Sequence, residues 1–248
     1  MVYRLLFILL ATFSLLFSVH AKAEKLDEIL LASEEWQRAT LSDGTGLYWD
    51  IFRYVYEPAG IKVKTLTFPY ETAVSYVQRG RADAWLASYL NEREFALYPQ
   101  WHFDAEVVSV MYNKDNHTTF EGIESLTNKQ VAWITGYAYH LYIDVPMQIH
   151  ELNNRKSILR MLKRGRIDYF LDAEIDIGLA KKEFYPGDKS LIIKDLIKLK
   201  LYPAFADTAK GQKFKSIWDQ RMPKIYKTKK MKQLFKQWEF DYPFDDKI

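Results

Sequence analysis

Arg79-Gly80-Arg81-Ala82-Asp83-Ala84 recurs as Arg164-Gly165-Arg166-Ile167-Asp168-Tyr169, and the chain around the two copies repeats as well. Ala73 to Arg79, ending in the first copy, reads as a helix, and Ala84 to Ser88 reads as the apolar strand that follows. Ahead of the second copy, Ile158, Met161 and Leu162 mark the buried face of a helix, and Tyr169 to Leu171 is the next strand. Gly80 and Gly165 fall where each helix stops, in the left-handed backbone conformation that glycine adopts at little cost. Two such links of helix, cap and strand imply two similar α/β units in one chain.

Outward from this echo the alternation of strand and helix continues. Ile29 to Ser33 is a short apolar strand. Leu47, Ile51, Tyr54 and Val55 stand at helical spacing in a segment that stops near Pro58 and Gly60, and Lys62 to Phe68 alternates as a half-buried strand does. Val107 to Tyr112 and Gln130 to Thr135 are further strands, separated by polar Asn113 to Thr119. The chain is expected to cross from one unit to the other near Tyr112. It recrosses near Lys198 to Phe205, an extended stretch broken by Pro203. The amphipathic helices Ala209 to Ile225 and Lys229 to Trp238 then return to the first unit, with Ile217, Trp218, Leu234, Phe235 and Trp238 turned inward and the many lysines left to water.

Residues 1–23 read as a secretory signal peptide. Arg4 precedes the apolar run Leu5 to Val19, and Ala21-Lys22-Ala23 has the small-x-small form of a cleavage site. The run falls short of the ~20 apolar residues that a transmembrane helix needs. The chain has no cysteine, which removes disulfides, thiolate metal sites, cysteine nucleophiles and cysteine-linked lipid. A periplasmic location is the expectation.

Composition excludes several classes. The formal charge is +3, and the leader carries Arg4 and Lys22 with no acidic residue, so the mature chain has no strong field for nucleic acid. There is no Gly-x-Ser-x-Gly elbow, no His-Glu-x-x-His and no phosphate loop. His102, His117, His140 and His150 show no metal-ligand spacing, so neither a metal nor a cofactor is expected. His140 alone lies near a segment expected at a cleft, where it is either a general base or a structural residue.

The order of motifs resembles the family 3 extracellular solute-binding proteins, the amino-acid-type receptors of ABC importers, in a divergent form. Gly46 to Gly60 is similar to that family's Gly-x-x-x-Asp helix, and Phe68 to Asp83 to its helix ending in Leu-x-x-Gly-x-x-Asp. Asn91-Glu92-Arg93 looks like its Thr-Pro-Glu-Arg segment. Leu126 to Gly136 resembles the entry to its second lobe, and Leu162 to Asp172 its Leu-x-x-Gly-x-x-Asp-x-x-x-Asp segment. The resemblance implies an α/β type II periplasmic-binding-protein fold, two α/β lobes joined by a two-stranded hinge. On that basis residues 24–112 form the first part of lobe 1, 113–200 lobe 2, and 201–248 the return to lobe 1. It also implies that Arg93 clamps a ligand carboxylate and Asp172 a ligand ammonium, a division suited to a planar guanidinium and an accepting carboxylate. Two departures stand out: the interval from Asp83 to Arg93 is short, and Tyr137 replaces the small hydroxyl residue usual after Gly136.

The residues themselves leave alternatives. Arg93 is otherwise a surface arginine in a helical turn, and Asp172, ending the apolar Tyr169-Phe170-Leu171, is otherwise a helix N-cap. Trp36, Tyr70 and Ser88 follow or end strands, where an open α/β sheet places its ligand crevice, or else they pack beneath loops. Thr135 to Tyr137 ends a strand and is expected to open a helix whose free amides favour an anion. The expected function is capture of a small polar solute, an amino acid or related zwitterion or organic acid, by a monomer serving an inner-membrane ABC permease. A dehydratase-like enzyme and a ligand-sensing accessory module are the alternatives. Cleavage is expected after Ala23; mass spectrometry of the exported protein checks it, and an intact Met1 would refute it.

Overall fold

The computed structural model describes residues 26–116 and 119–244. The expected signal peptide and His117 lie outside the described residues. In chain order the elements are β1 (Glu28–Ser33), α1 (Leu47–Tyr56), β2 (Lys62–Thr67), α2 (Tyr70–Gln78), β3 (Ala84–Ser88), β4 (Ala96–Leu97) and β5 (Asp104–Asn113). They continue with β6 (Gln130–Ile134), β7 (Gln148–Leu152), α3 (Arg155–Lys163), β8 (Tyr169–Ala173), α4 (Glu174–Phe184), β9 (Leu191–Ala206), α5 (Ala209–Ile225) and α6 (Lys229–Gln237).

The strands lie in the order β2-β1-β3-β9-β5-β8-β6-β7, with β4 beside β9. From either end this order is the same pattern. β1 runs parallel between β2 and β3, β6 runs parallel between β7 and β8, and each trio meets an antiparallel crossing strand. The crossing strands β5 and β9 pair with each other from Asp104↔Leu201 to Asn113↔Leu191. From Tyr202 onward β9 pairs with β3 instead. Pro203 does not break it, and Leu191–Ala206 is one strand.

The repeated hexapeptide accounts for this symmetry. Gly80 and Gly165 have φ of 66° and 64°, and each ends its helix in a left-handed turn. The aspartate that follows then grips the neighbouring parallel strand at both ends of one residue. The Asp83 backbone amide donates to the Leu30 carbonyl at 2.8 Å, and the Asp83 carboxylate accepts from the Leu30 amide at 2.8 Å. In the second copy the Asp168 amide donates to the Gln130 carbonyl at 2.8 Å, and the Asp168 carboxylate accepts from the Gln130 amide at 2.9 Å. Each clamp starts a parallel register one residue on, Leu31↔Ala84 and Val131↔Tyr169.

Around these sheets α1 buries Leu47, Trp49, Ile51, Phe52 and Val55. Trp218 of α5 meets Phe52 with ring centroids 4.6 Å apart. Thr208 and Thr228 cap α5 and α6 by accepting from Gly211 and Met231 amides, satisfying donors that a helix start leaves unpaired. As the hydropathy pattern predicts, Trp218, Leu234 and Phe235 are buried, with Ile217 and Trp238 packed beside them.

The clamps carry a measurable load. Loss of a charge-assisted hydrogen bond to a backbone amide costs about 1.5–3 kcal/mol. Asp168→Ala is expected to lower the melting temperature by about 2–4 °C per kcal/mol in a chain of this size, and Asp168→Asn, which keeps an acceptor, to lower it less. Equal melts for Asp168→Ala and wild type would show that the clamp does not hold the strand.

Candidate functional site

Parallel strands of an open α/β sheet point their C-terminal ends toward a crevice, and here five such ends converge on one cavity. Trp36, Gln37 and Ala39 follow β1, and Tyr70 follows β2. Ala87 and Tyr89 come from the end of β3, Tyr137 follows β6, Ala173 ends β8, and Ile175 and Asp176 follow it. Glu106 of β5, Leu201 of β9, Tyr48 of α1 and Phe240 beyond α6 complete the wall. The cavity has a volume of about 70 Å³. It adjoins a groove of about 680 Å³, with which it shares Tyr48, Glu106, Ala173, Ile175 and Phe240.

The two sheet halves touch across this cavity. Tyr70 meets Tyr137 edge to face at 5.8 Å, and Tyr89 meets Tyr142 at 4.9 Å. The Arg93 guanidinium donates to the Gly136 carbonyl at 3.2 Å and pairs with Glu71 at 2.5 Å. Gly136 has φ of 92°, and a Cβ there would lie 2.1 Å from the Glu71 carboxylate, so glycine permits this approach. Ala87, at the cavity wall, has a left-handed φ of 59° beside an irregularity in the β3–β9 register. Non-glycine residues hold such a conformation only where their surroundings impose it.

Of the residues singled out in the sequence, Trp36, Tyr70 and Tyr137 line the cavity. Ser88 stands behind it, fully buried, donating to Glu92 at 2.8 Å. Glu92 also accepts from the Tyr70 hydroxyl at 2.7 Å and the Tyr89 amide at 3.1 Å, so Arg93 lies beside a buried carboxylate as well as Glu71. Asp172 is fully buried and accepts from Arg155 Nε at 2.7 Å and Nη2 at 3.2 Å. Arg155 also donates to Asp176 at 2.8 Å and to the Tyr137 hydroxyl at 3.2 Å. The charges of Arg93 and Asp172 are thus already compensated within the chain.

One expectation is corrected. Thr135 to Tyr137 does not open an α-helix: left-handed Gly136 and Ala138 turn the backbone, and only a short 3₁₀ turn, Tyr139–Leu141, follows. His140 is exposed and stacked on Trp133, away from the cavity wall.

Sequence reasoning missed Tyr48, Glu106, Asp176, Arg155 and Phe240. Asp176, in the first turn of α4, carried only its nearness in sequence to Asp172. The others carried none, because Tyr48 and Phe240 reach the cavity from distant parts of the chain and Glu106 looks like any solvent-facing strand residue.

Desolvation dominates the electrostatics. Burial pushes the Glu106 carboxyl up to about 8, opposed by the Tyr89 hydroxyl that donates to it and reinforced by Asp176, Asp172 and Asp104. Burial likewise lifts Glu34 to about 7, although Arg155 opposes the rise, and lifts Asp104 to about 7 despite the Tyr48 hydroxyl at 2.8 Å. A carboxyl of raised pKa binds its proton in the folded state at a pH where the unfolded chain has lost it. Its contribution to stability therefore falls as pH rises from about 4.5 to about 8.

Beyond these residues, the sequence matches no protein-family model and no curated protein. The fold does match solved structures. The substrate-binding protein of an amino acid ABC transporter is 14% identical, with TM-score 0.64, over 85% of this chain and 98% of that one. EhuB in complex with hydroxyectoine is 16% identical, with TM-score 0.68, over 87% and 90%. A histidine kinase sensor domain with similarity to periplasmic binding proteins is 15% identical, with TM-score 0.68, over 85% and 95%. At such identities the likeness shows the fold: two α/β lobes joined by a two-stranded hinge, the type II periplasmic-binding-protein fold.

The unliganded protein is expected to melt at higher temperature near pH 5 than near pH 8, and Glu106→Gln, neutral at every pH, is expected to flatten that dependence. Identical pH profiles for wild type and Glu106→Gln would refute the assignment of the raised carboxyl.

Proposed function

We propose that the protein is a non-enzymatic solute-binding module, exported to the periplasm, which closes its two lobes over a small polar solute and delivers it to an ABC permease. The observation that supports this reading best is the cavity itself, walled from both sheet halves by the C-terminal ends of five parallel strands. Among the described residues no helix is long and apolar enough to cross a membrane. In this reading residues 24–112 and 201–248 form lobe 1 and 113–200 form lobe 2. The change of β9 partner from β5 at Leu201 to β3 at Tyr202 supports the second boundary.

Trp36, Tyr70 and Tyr137 touch the solute. Arg93 acts as a latch, reaching from lobe 1 to the Gly136 carbonyl of lobe 2. Ser88 and Asp172 position the wall, Ser88 through Glu92 and Asp172 through Arg155. The solute favours closure only by binding the closed form better than the open one.

A thermal-shift screen of the mature protein with amino acids, organic acids, amines and sugars tests the reading. A solute at 100 times its Kd adds about 2.7 kcal/mol, a rise of roughly 5–10 °C for a chain of this size. The binding solute is expected to be recovered unchanged. Turnover into a new product beyond one equivalent would replace the binding module with an enzyme.

A further inference from the structure

The reading of the cavity as the ligand site leaves open what kind of solute fits it, and the walls of the cavity answer in chemical terms. We infer that the solute is an organic ammonium ion, its cationic head seated among aromatic rings beside Glu106 and Asp176, with no carboxylate required on the ligand. This inference rests on the proposed binding function.

No lysine, arginine or histidine lines the cavity among the described residues, whereas two carboxylates and six aromatic rings do. Four of those rings are tyrosines whose hydroxyls already have partners within the chain. Tyr48 donates to Asp104, Tyr70 to Glu92 and Tyr89 to Glu106, while the Tyr137 hydroxyl accepts from Arg155. With the hydroxyls tied, the tyrosines contribute ring surface, and Trp36 and Phe240 extend it. Aromatic faces attract cations, most strongly where water is excluded.

The guanidiniums that could meet a ligand carboxylate are occupied. Arg155 is shared between Asp172 and Asp176, and Arg93 is held by Glu71, Glu92 and the Gly136 carbonyl, outside the cavity wall. The adjoining groove keeps the same sign. Asp104, Glu106, Glu174, Glu239 and Asp241 line it against Arg38 and Lys198, and Arg38 is paired with Glu239 at 2.8 Å. A solute with an ammonium head in the cavity and a polar body in the groove passes carboxyl groups along its length, Glu106 and Asp176 first and then Asp104, Glu174 and Asp241. The cavity volume of about 70 Å³ suits a head group of a few heavy atoms, and ring surface with few free acceptors suits a methylated one.

Isothermal calorimetry with choline tests this. Its neutral carbon isostere 3,3-dimethylbutan-1-ol, ethanolamine, acetate and glycine are the comparison probes, and thermal shift is run beside each titration. Choline is expected to bind at least about tenfold more tightly than the neutral isostere, since two or more cation–π contacts of this kind are worth that ratio, and more tightly than ethanolamine. Acetate is expected not to bind. Glu106→Gln is expected to weaken choline about tenfold or more and leave the weak binding of the isostere unchanged. Trp36→Leu is expected to weaken choline while Trp36→Phe keeps most of it, and unliganded melts identify any variant that has lost its fold.

Equal binding of choline and its isostere would overturn the cationic assignment. So would tight binding of glycine or acetate without choline, although the binding module would then stand. If none of the probes binds and the wider screen also finds no solute, the ammonium assignment falls together with the binding reading.

Discussion

Two aspartates set the architecture. Asp83 and Asp168 each use both backbone amide and carboxylate to hold one residue of the adjacent parallel strand. Register in a sheet is an all-or-none matter, because a slip of one residue turns every side chain to the wrong face. Fixing Leu30 against Asp83 and Gln130 against Asp168 therefore fixes which side chains of β1, β3, β6 and β8 enter the core. The cavity lies at the opposite, C-terminal ends of these strands. The left-handed glycine before each aspartate is what lets helix, clamp and strand follow within a few residues.

The site built on this frame holds carboxyls that pay for their burial with protons. Glu106 and Asp104 line it where water is scarce, and the Tyr89 and Tyr48 hydroxyls that donate to them offset only part of the loss. Charged groups removed from water without a full partner take up protons. The interior of the cleft is in consequence poised between neutral and anionic forms near physiological pH, and a cation entering it would shift that balance toward the anion.

The fold was legible from short-range signals. Glycine caps, apolar periodicity and the duplicated hexapeptide sufficed to locate most helices and strands, including α5 and α6. Extended β9 was legible too, but Pro203 suggested a break that the strand does not make. The candidate site was legible in part. Trp36, Tyr70 and Tyr137 follow strand ends and could be found by position. The compensation of Asp172 by Arg155 and of Arg93 by Glu71 joins side chains far apart in the chain, and no local pattern reports such a pairing. The same holds for Gly136: the glycine was visible, but the carboxylate that approaches it comes from α2 in the other half of the sheet.

Phe240 has a bearing on the order in which the protein can be made. It closes a wall whose other parts begin at Trp36, and Trp238 and Glu239 beside it bond Asp50 and Arg38. β3, moreover, gains its β9 neighbour only from Tyr202 onward. A growing chain can form β1, β2 and the clamp at Asp83 early, yet it lacks a finished pocket wall until Phe240 has emerged. Contacts this distant in sequence are slow to form, so the wall that joins Trp36 to Phe240 closes late.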